Sequence, residues 1–347
     1  MSRIDRRIQE VIRNLRQNMI SVIIIAYKRR QYIESCILSA ATQKLPREKY
    51  EIIVVKDYVD AKIDKLIEET GSKSILVDEK LYGIKLAQAI GIARGEIICC
   101  LDDDDLFTYD KLHVIDSLFT NDERLVFVHN GHRTLSSNIH AKKALHNSSK
   151  LRIYYDTEKH SKYRLNKLIR SNPHFNSSSI SFRKKIFNRE LFINYELMGG
   201  YDTILFILAL SSEGVILNIP DILTVYRVHD STSMIVSQLS HFFCFKLRWF
   251  QNYKNSLLIT KVAISSATKI SINFTECLLK ESLAHLLILS NENLRRLSAL
   301  KMIKELINCH CYIPNLKLFY LLAIVVLYGI SPNFSRTLYY INYKKNI

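Results

Sequence analysis

Four consecutive aspartates, Asp102 to Asp105, follow directly on the apolar run Ile97-Ile98-Cys99-Cys100-Leu101. An unbroken apolar run of this length reads as a strand buried on both faces, as in a parallel sheet. Carboxylates crowded at its carboxyl end repel one another, and a cation or a set of basic groups has to relieve that repulsion. Open α/β sheets bind ligands at the carboxyl ends of their strands. The chemistry on offer is therefore an oxygen-ligated divalent metal serving an anionic substrate. A solvated acidic turn, or carboxylates set at a helix N-terminus, would use the same residues.

The elements that must position this cluster are visible ahead of it. Ile20 to Ala26 (ISVIIIA), Glu51 to Lys56 (EIIVVK), Ser74 to Val77 and Glu96 to Leu101 read as strands. Arg30 to Thr42, Ala61 to Thr70 and Gly83 to Ala93 read as the helices between them. Strict alternation with near-continuous apolar strands predicts an α/β protein with a doubly wound sheet. After Asp105 the pattern loosens: a helix over Lys111 to Phe119, a strand over Leu125 to Asn130, then a polar stretch to about Lys162. Asn176 to Arg183 reads as a strand, Tyr201 to Ser212 as a strongly apolar helix and Val215 to Ile219 as a short strand. Beyond Met234 the sequence is almost entirely helical in character, and no internal repeat is found.

The 347 residues carry 49 Lys and Arg against 33 Asp and Glu, a formal charge of +16 spread along the chain. Nucleic acid, an anionic membrane surface or an anionic substrate would each answer that charge. With 48% hydrophobic residues the composition is globular and excludes a disordered chain. Seven cysteines without paired zinc spacing read as reduced, mostly buried thiols, which points to a cytoplasmic setting. No signal peptide is visible; residues 1–19 read as a short amphipathic helix. Leu318 to Ile330 is an uncharged run too short to span a bilayer, which takes about 20 residues. It reads either as an interfacial anchor, giving a peripheral position on the cytoplasmic face of the membrane, or as a terminal helix packed on its own domain.

Four segments together resemble, in order and spacing, the family 2 glycosyltransferases of the GT-A fold. The first strand with Tyr27-Lys28-Arg29 is similar to the family's opening strand and turn. Ile53-Val54-Val55-Lys56-Asp57 resembles the strand whose last aspartate holds the base of the nucleotide. Gly91-Ile92-Ala93-Arg94-Gly95-Glu96 running into Leu101 and the four aspartates resembles the segment that ends in the DXD motif, with Asp102 and Asp104 at its two ends. Tyr226-Arg227-Val228-His229 through Ser233 resembles the closing segment of the catalytic domain. The resemblance implies a GT-A catalytic domain over 20–233, with a nucleotide half at 20–105 and an acceptor half at 106–233. A helical C-terminal extension at 234–347 would follow. It implies inverting transfer of sugar from a nucleotide-sugar donor to a glycan or lipid-linked acceptor, with no nucleic acid partner. Ala26, Tyr27, Arg29, Asp57, Lys85, Asp102, Asp103 and Arg227 would then meet the donor.

Within that frame the residue chemistry sorts further. Moving sugar off a diphosphate calls for charge neutralisation, and oxygen ligands suit Mn²⁺ or Mg²⁺ better than zinc. Asp104 is the expected direct ligand, with Asp102 and His229 beside it; Asp105 is expected to open the following segment. Arg227 can fork two phosphate oxygens. Inversion needs a general base outside the metal cluster, and Asp202, ahead of an apolar helix, is the candidate, with Glu196 in reserve. An N-cap role would explain Asp202 equally. Ile25, Lys28 and Lys56 depart from the family pattern, and Lys85 reads either as a donor contact or as a solvated helix-face lysine. Acceptor recognition is expected within Asn130 to Ser181. The aromatic and basic stretch from Phe242 to Lys254 suggests a peripheral membrane contact. A sugar-phosphate nucleotidyltransferase and a basic nucleic-acid-binding protein are the rival readings. The first lacks a glycine-rich phosphate loop, and the second gains nothing from carboxylates that repel phosphate.

Overall fold

The computed structural model describes residues 19–27, 30–79, 81–136, 151–195, 197, 199–228, 239–265, 268–290, 296–309, 312–313 and 315–345. The expected helix at the start of the chain, along with Arg29, Glu196 and His229, lies outside the described residues. The apolar runs form β1 (Ile20–Ala26), β2 (Tyr50–Lys56), β3 (Lys73–Leu76) and β4 (Ile97–Asp102). All four lie parallel in the order β3-β2-β1-β4. Their crossovers are α1 (Arg30–Ala41), α2 (Ala61–Glu69) and α3 (Tyr82–Ile92).

The second half of the sheet changes direction. After β5 (Leu106–Phe107) and α4 (Lys111–Asn121) come β6 (Leu125–Ser136), β7 (Ile153–Asp156), α5 (Lys162–Arg170) and β8 (Ile180–Arg183). Next are α6 (Arg189–Asn194), α7 (Tyr201–Ser211) and β9 (Val215–Val228). β8 runs antiparallel between β4 and β6, and β9 runs parallel to β6. The result is a nine-stranded mixed sheet in the order β3-β2-β1-β4-β8-β6-β9-β5, with β7 paired to β9. The doubly wound, parallel first half and the mixed sheet expected of the whole catalytic domain are both present.

Four elements differ from the sequence reading. β7 falls inside the stretch read as polar, and α5 follows it where no element was expected, because its lysines and arginines disguise the buried stripe Leu165, Leu168 and Ile169. Residues 177–179 are a 3₁₀ turn, so the strand read from Asn176 starts at Ile180. β9 runs on past Ile219 through Pro220 and Asp221 to Val228. The ladder to β6 is irregular there, and a side chain at Gly131 would come within 2.6 Å of the Pro220 carbonyl. Proline is tolerated at such irregularities.

Alternation along the strands feeds two cores. Ile20, Val22 and Ile24 face one cluster with Ile33 and Ile37 of α1 and Ile115 of α4. Ile23 and Ile25 face the other, with Leu86 of α3 and Phe206 of α7. That second core continues into the C-terminal helices α8 (Leu239–Ala263), α9 (Lys269–Leu289), α10 (Arg296–Ile307), α11 (Asn315–Ile330) and α12 (Pro332–Lys345). Phe242 and Phe250 of α8, expected at a membrane surface, are buried in it instead, Phe250 stacked on His285 at 4.2 Å.

At the amino ends of the strands one buried carboxylate ties β1, β2, β3 and the approach to β4. Glu51 Oε1 accepts from the Ser21 hydroxyl at 2.8 Å and the Arg94 amide at 2.6 Å. Its Oε2 accepts from Lys73 at 2.9 Å and the Arg94 side chain at 3.0 Å. Burial alone pushes this carboxyl up, but the bonds from Lys73, the Arg94 amide and Ser21 outweigh it and bring it down to about 2. A carboxyl lowered on folding stabilises above its ordinary value and loses that stabilisation as the pH falls toward the folded value. Stability should therefore decline between about pH 4.5 and about pH 2. Glu51→Gln should flatten that decline and cost about 1–3 kcal/mol at neutral pH, read by urea unfolding.

Candidate active site

β4 delivers the four aspartates to the carboxyl edge of the parallel half-sheet, and each is held differently. Asp102 Oδ2 accepts from the Ser177 hydroxyl at 2.6 Å and Oδ1 from the Tyr82 hydroxyl at 3.3 Å. Asp103 is fully buried and accepts the Tyr27 amide at 2.7 Å, which clamps the end of β4 to the end of β1. Arg227, near the end of β9, donates its backbone N–H to Asp105 Oδ1 at 2.8 Å and its Nε to the Asp104 carbonyl at 2.8 Å. The Arg227 guanidinium also lies 4.4 Å over the Tyr32 ring.

Ligand oxygens of Asp102, Asp104 and Asp105 all fall within 4.8 Å of one another. This corrects the expectation that Asp105 merely opens the next segment. The physical reason lies far along the chain, because β9 returns beside Asp105 and buries it completely. Burial first, and then the charges of Asp102 and Asp104, drive the Asp105 carboxyl well above the usual range. Such crowding of hard oxygen donors fits a divalent cation.

A buried lysine unforeseen from sequence supports the cluster from behind. Lys111 Nζ donates to the Ser178 carbonyl at 2.7 Å, Asn130 Oδ1 at 2.8 Å and Thr224 Oγ1 at 3.2 Å. It lies 4.3 Å from the Phe107 ring centre, and burial lowers its ammonium to about 8. Ser178 in turn accepts the Asp102 amide at 3.0 Å. Ser177 and Ser178, read as part of an acceptor loop, thus brace the acidic cluster.

On the β2 side, Asp57 follows the strand end and pairs with Lys85 at 3.2 Å. Lys85 is fully buried and lies 4.4 Å over the Tyr27 ring, so it is not a solvated helix-face lysine. Asp57 Oδ1 is buried without a hydrogen-bond partner among the described residues. Ala26, Tyr27, Asp57, Lys85, Asp102, Asp103, Asp104 and Arg227 are thereby gathered along one edge.

Asp202 opens α7, its Oδ1 accepting the Thr203 amide at 2.8 Å. Burial first, with a contribution from the charge of Asp102, raises its carboxyl to about 6. Gly200 caps this helix at φ +71°, and a Cβ there would lie 2.5 Å from the ring of Tyr253 in α8. The C-terminal helices therefore reach the turn that presents Asp202, with Tyr253 itself buried and stacked on Trp249 at 5.1 Å.

Residues 21–192 match the sequence model of Glycosyl transferase family 2. The chain belongs to that family. Over 100 residues it is 34% identical to the poly(ribitol-phosphate) beta-glucosyltransferase of Bacillus spizizenii, a match covering 27% of the chain and 16% of that relative. Its fold is similar to S. aureus TarS 1–349, with TM-score 0.57 at 15% identity over 93% of this chain and 92% of that one. The TarS 1–349 complex with UDP-GlcNAc gives TM-score 0.56 at 14% identity, again over 93% and 92% of the two chains. Against a longer TarS structure the likeness covers 54% of that chain. The mixed sheet followed by helices is the GT-A architecture.

Gly200→Ala should force the helix start away from Tyr253 and strain a left-handed position. The expected outcome is a fall in turnover of about tenfold or more, as small misplacements of catalytic groups cost that much. Donor KM should change little, and steady-state kinetics alongside thermal unfolding would check both.

Proposed function

We propose that this glycosyltransferase moves a sugar from a nucleoside-diphosphate donor, with inversion and with Mn²⁺ or Mg²⁺ bound, to a glycan or lipid-linked acceptor. The observation that carries this reading is the set of three carboxylates within 4.8 Å, with a further acid outside that set, Asp202, on which the charge of Asp102 acts. Asp104, Asp102 and Asp105 would hold the cation; His229, the other expected ligand, lies outside the described residues. When bound, the cation neutralises the charge that grows on the departing diphosphate.

The remaining roles fall to the chain's own groups. Asp57 Oδ1, buried and unsatisfied, is an acceptor suited to a nucleobase or ribose donor group, and Lys85 fixes its partner oxygen. Arg227 is anchored by the Asp104 carbonyl where its guanidinium can reach phosphate. Asp202 takes the proton of the acceptor hydroxyl as that oxygen bonds to the anomeric carbon. The bond from that carbon to the diphosphate breaks on the opposite face. A carboxyl raised to about 6 is a stronger base than an ordinary aspartate and is still ionised near neutrality. S. aureus TarS was solved with UDP and with UDP-GlcNAc, which makes uridine donors the first to test. The short match to a poly(ribitol-phosphate) glucosyltransferase and the +16 charge support a phosphate-bearing acceptor.

Because the base must be ionised, kcat/KM should fall as the pH drops below about 6. Asp202→Asn should lower kcat about 10²–10⁴-fold, remove that acid limb and leave donor KM nearly unchanged. Proton NMR of the first-formed product should show the anomeric configuration opposite to the donor's. Retained configuration, or an Asp202→Asn enzyme with raised KM and normal kcat, would overturn the assignment.

A further inference from the structure

From Leu318 to Ile330 α11 carries no charge on any side, which is unusual for a helix at the surface of a protein. Its inner face, including Leu318, Leu321, Ile324 and Val325, is buried in the core shared with the sheet. Its outer face carries Leu316, Phe319, Ala323, Val326 and Ile330, spaced alternately three and four residues apart, and all are exposed. Leu316 is 89% exposed, Phe319 77% and Ile330 75%, so these side chains stand almost free of the fold. α12 adds two more exposed apolar side chains, Phe334 and Ile341. Single exposed apolar residues are ordinary, but a continuous stripe of large ones marks a partner.

Charge identifies the partner. Residues 296–347 hold seven lysines and arginines and a single carboxylate side chain, Glu305. Glu305 is paired with Lys280 at 2.8 Å and Lys317 with Glu281 at 2.5 Å, and the segment keeps a net positive charge. Two copies meeting through this face would set the same net-positive segment against itself, since a twofold interface matches a patch to its own image. An anionic lipid leaflet attracts that charge and accepts the apolar stripe. Tyr320 and Tyr340, both part-exposed, have the amphipathic rings favoured at headgroup depth. Among the described residues no helix is long and apolar enough to cross a membrane, and the sixteen residues of α11 extend about 24 Å, suited to lying along a surface.

We propose that the outer face of α11, with Phe334 and Ile341 of α12, docks the protein peripherally on an anionic lipid bilayer. This docking is independent of how the catalytic residues are assigned. The test is co-sedimentation of the full chain with phosphatidylcholine vesicles, with and without phosphatidylglycerol, at low and high salt. Wild-type protein should bind the phosphatidylglycerol vesicles, release with salt, and bind pure phosphatidylcholine at least about tenfold more weakly. Phe319→Glu with Ile330→Glu should reduce binding by a similar factor while leaving donor turnover on a soluble acceptor unchanged. Hydrogen exchange of the wild type with vesicles keeps the test open should that variant misfold, with protection expected over 315–341. Absence of vesicle binding, protection confined elsewhere, or a solution dimer that Phe319→Glu converts to monomer would each overturn the proposal.

Discussion

The constraint on which the rest depends is the electrostatic cost of ending a buried strand in four carboxylates. Water cannot screen Asp103 and Asp105, which are fully buried. Each must instead be answered by a fixed donor or a neighbouring positive charge. The Tyr27 amide answers Asp103 and the Arg227 backbone answers Asp105, while the Ser177 and Tyr82 hydroxyls donate to Asp102. They arrive from β1, the 3₁₀ turn before β8, α3 and β9, so strand order and site geometry are the same requirement. Lys111 adds a buried ammonium that binds the backbone of that turn and side chains of β6 and β9. What is left over is the crowding of Asp102, Asp104 and Asp105, which the proposed cation would relieve.

The first half of this arrangement was legible in the sequence because its signals are local. Val22 to Ala26, Ile52 to Val55 and Ile97 to Leu101 are uninterrupted apolar runs, and both faces of the strands are buried as such runs require. Asp102 and Asp104 stood out for the same reason, since they close β4 or lie just past its end, while Asp57 was marked by the family resemblance of its strand. What stayed hidden depends on contacts distant along the chain. Asp105 joins the cluster only through a bond to a residue 122 positions away, and Ser177 reaches Asp102 across 75. Lys111 looked like an ordinary first-turn lysine, because nothing local shows that β6 and β9 close over it. α5 went unassigned because charge on its exposed side outweighed its three buried apolar positions.

The helical C-terminal part is not a separate layer in energetic terms. Its buried side chains share one cluster with Ile23, Ile25 and Phe206, so unfolding the helices would expose a face of the sheet. Through Tyr253 against Gly200 it also fixes the turn ahead of Asp202. The same helices would thus support the proposed base on their inner side and present the apolar stripe of α11 outward, coupling the site mechanically to whatever surface that stripe meets.

Isothermal titration of UDP into the full-length protein, once in Mn²⁺ and once in EDTA, tests the central claim most directly. If the acidic cluster is the cation seat beneath a diphosphate, Mn²⁺ should tighten UDP binding by at least about tenfold, and UDP should tighten Mn²⁺ binding by the same factor, as linkage demands. Equal UDP affinity in Mn²⁺ and in EDTA would contradict it.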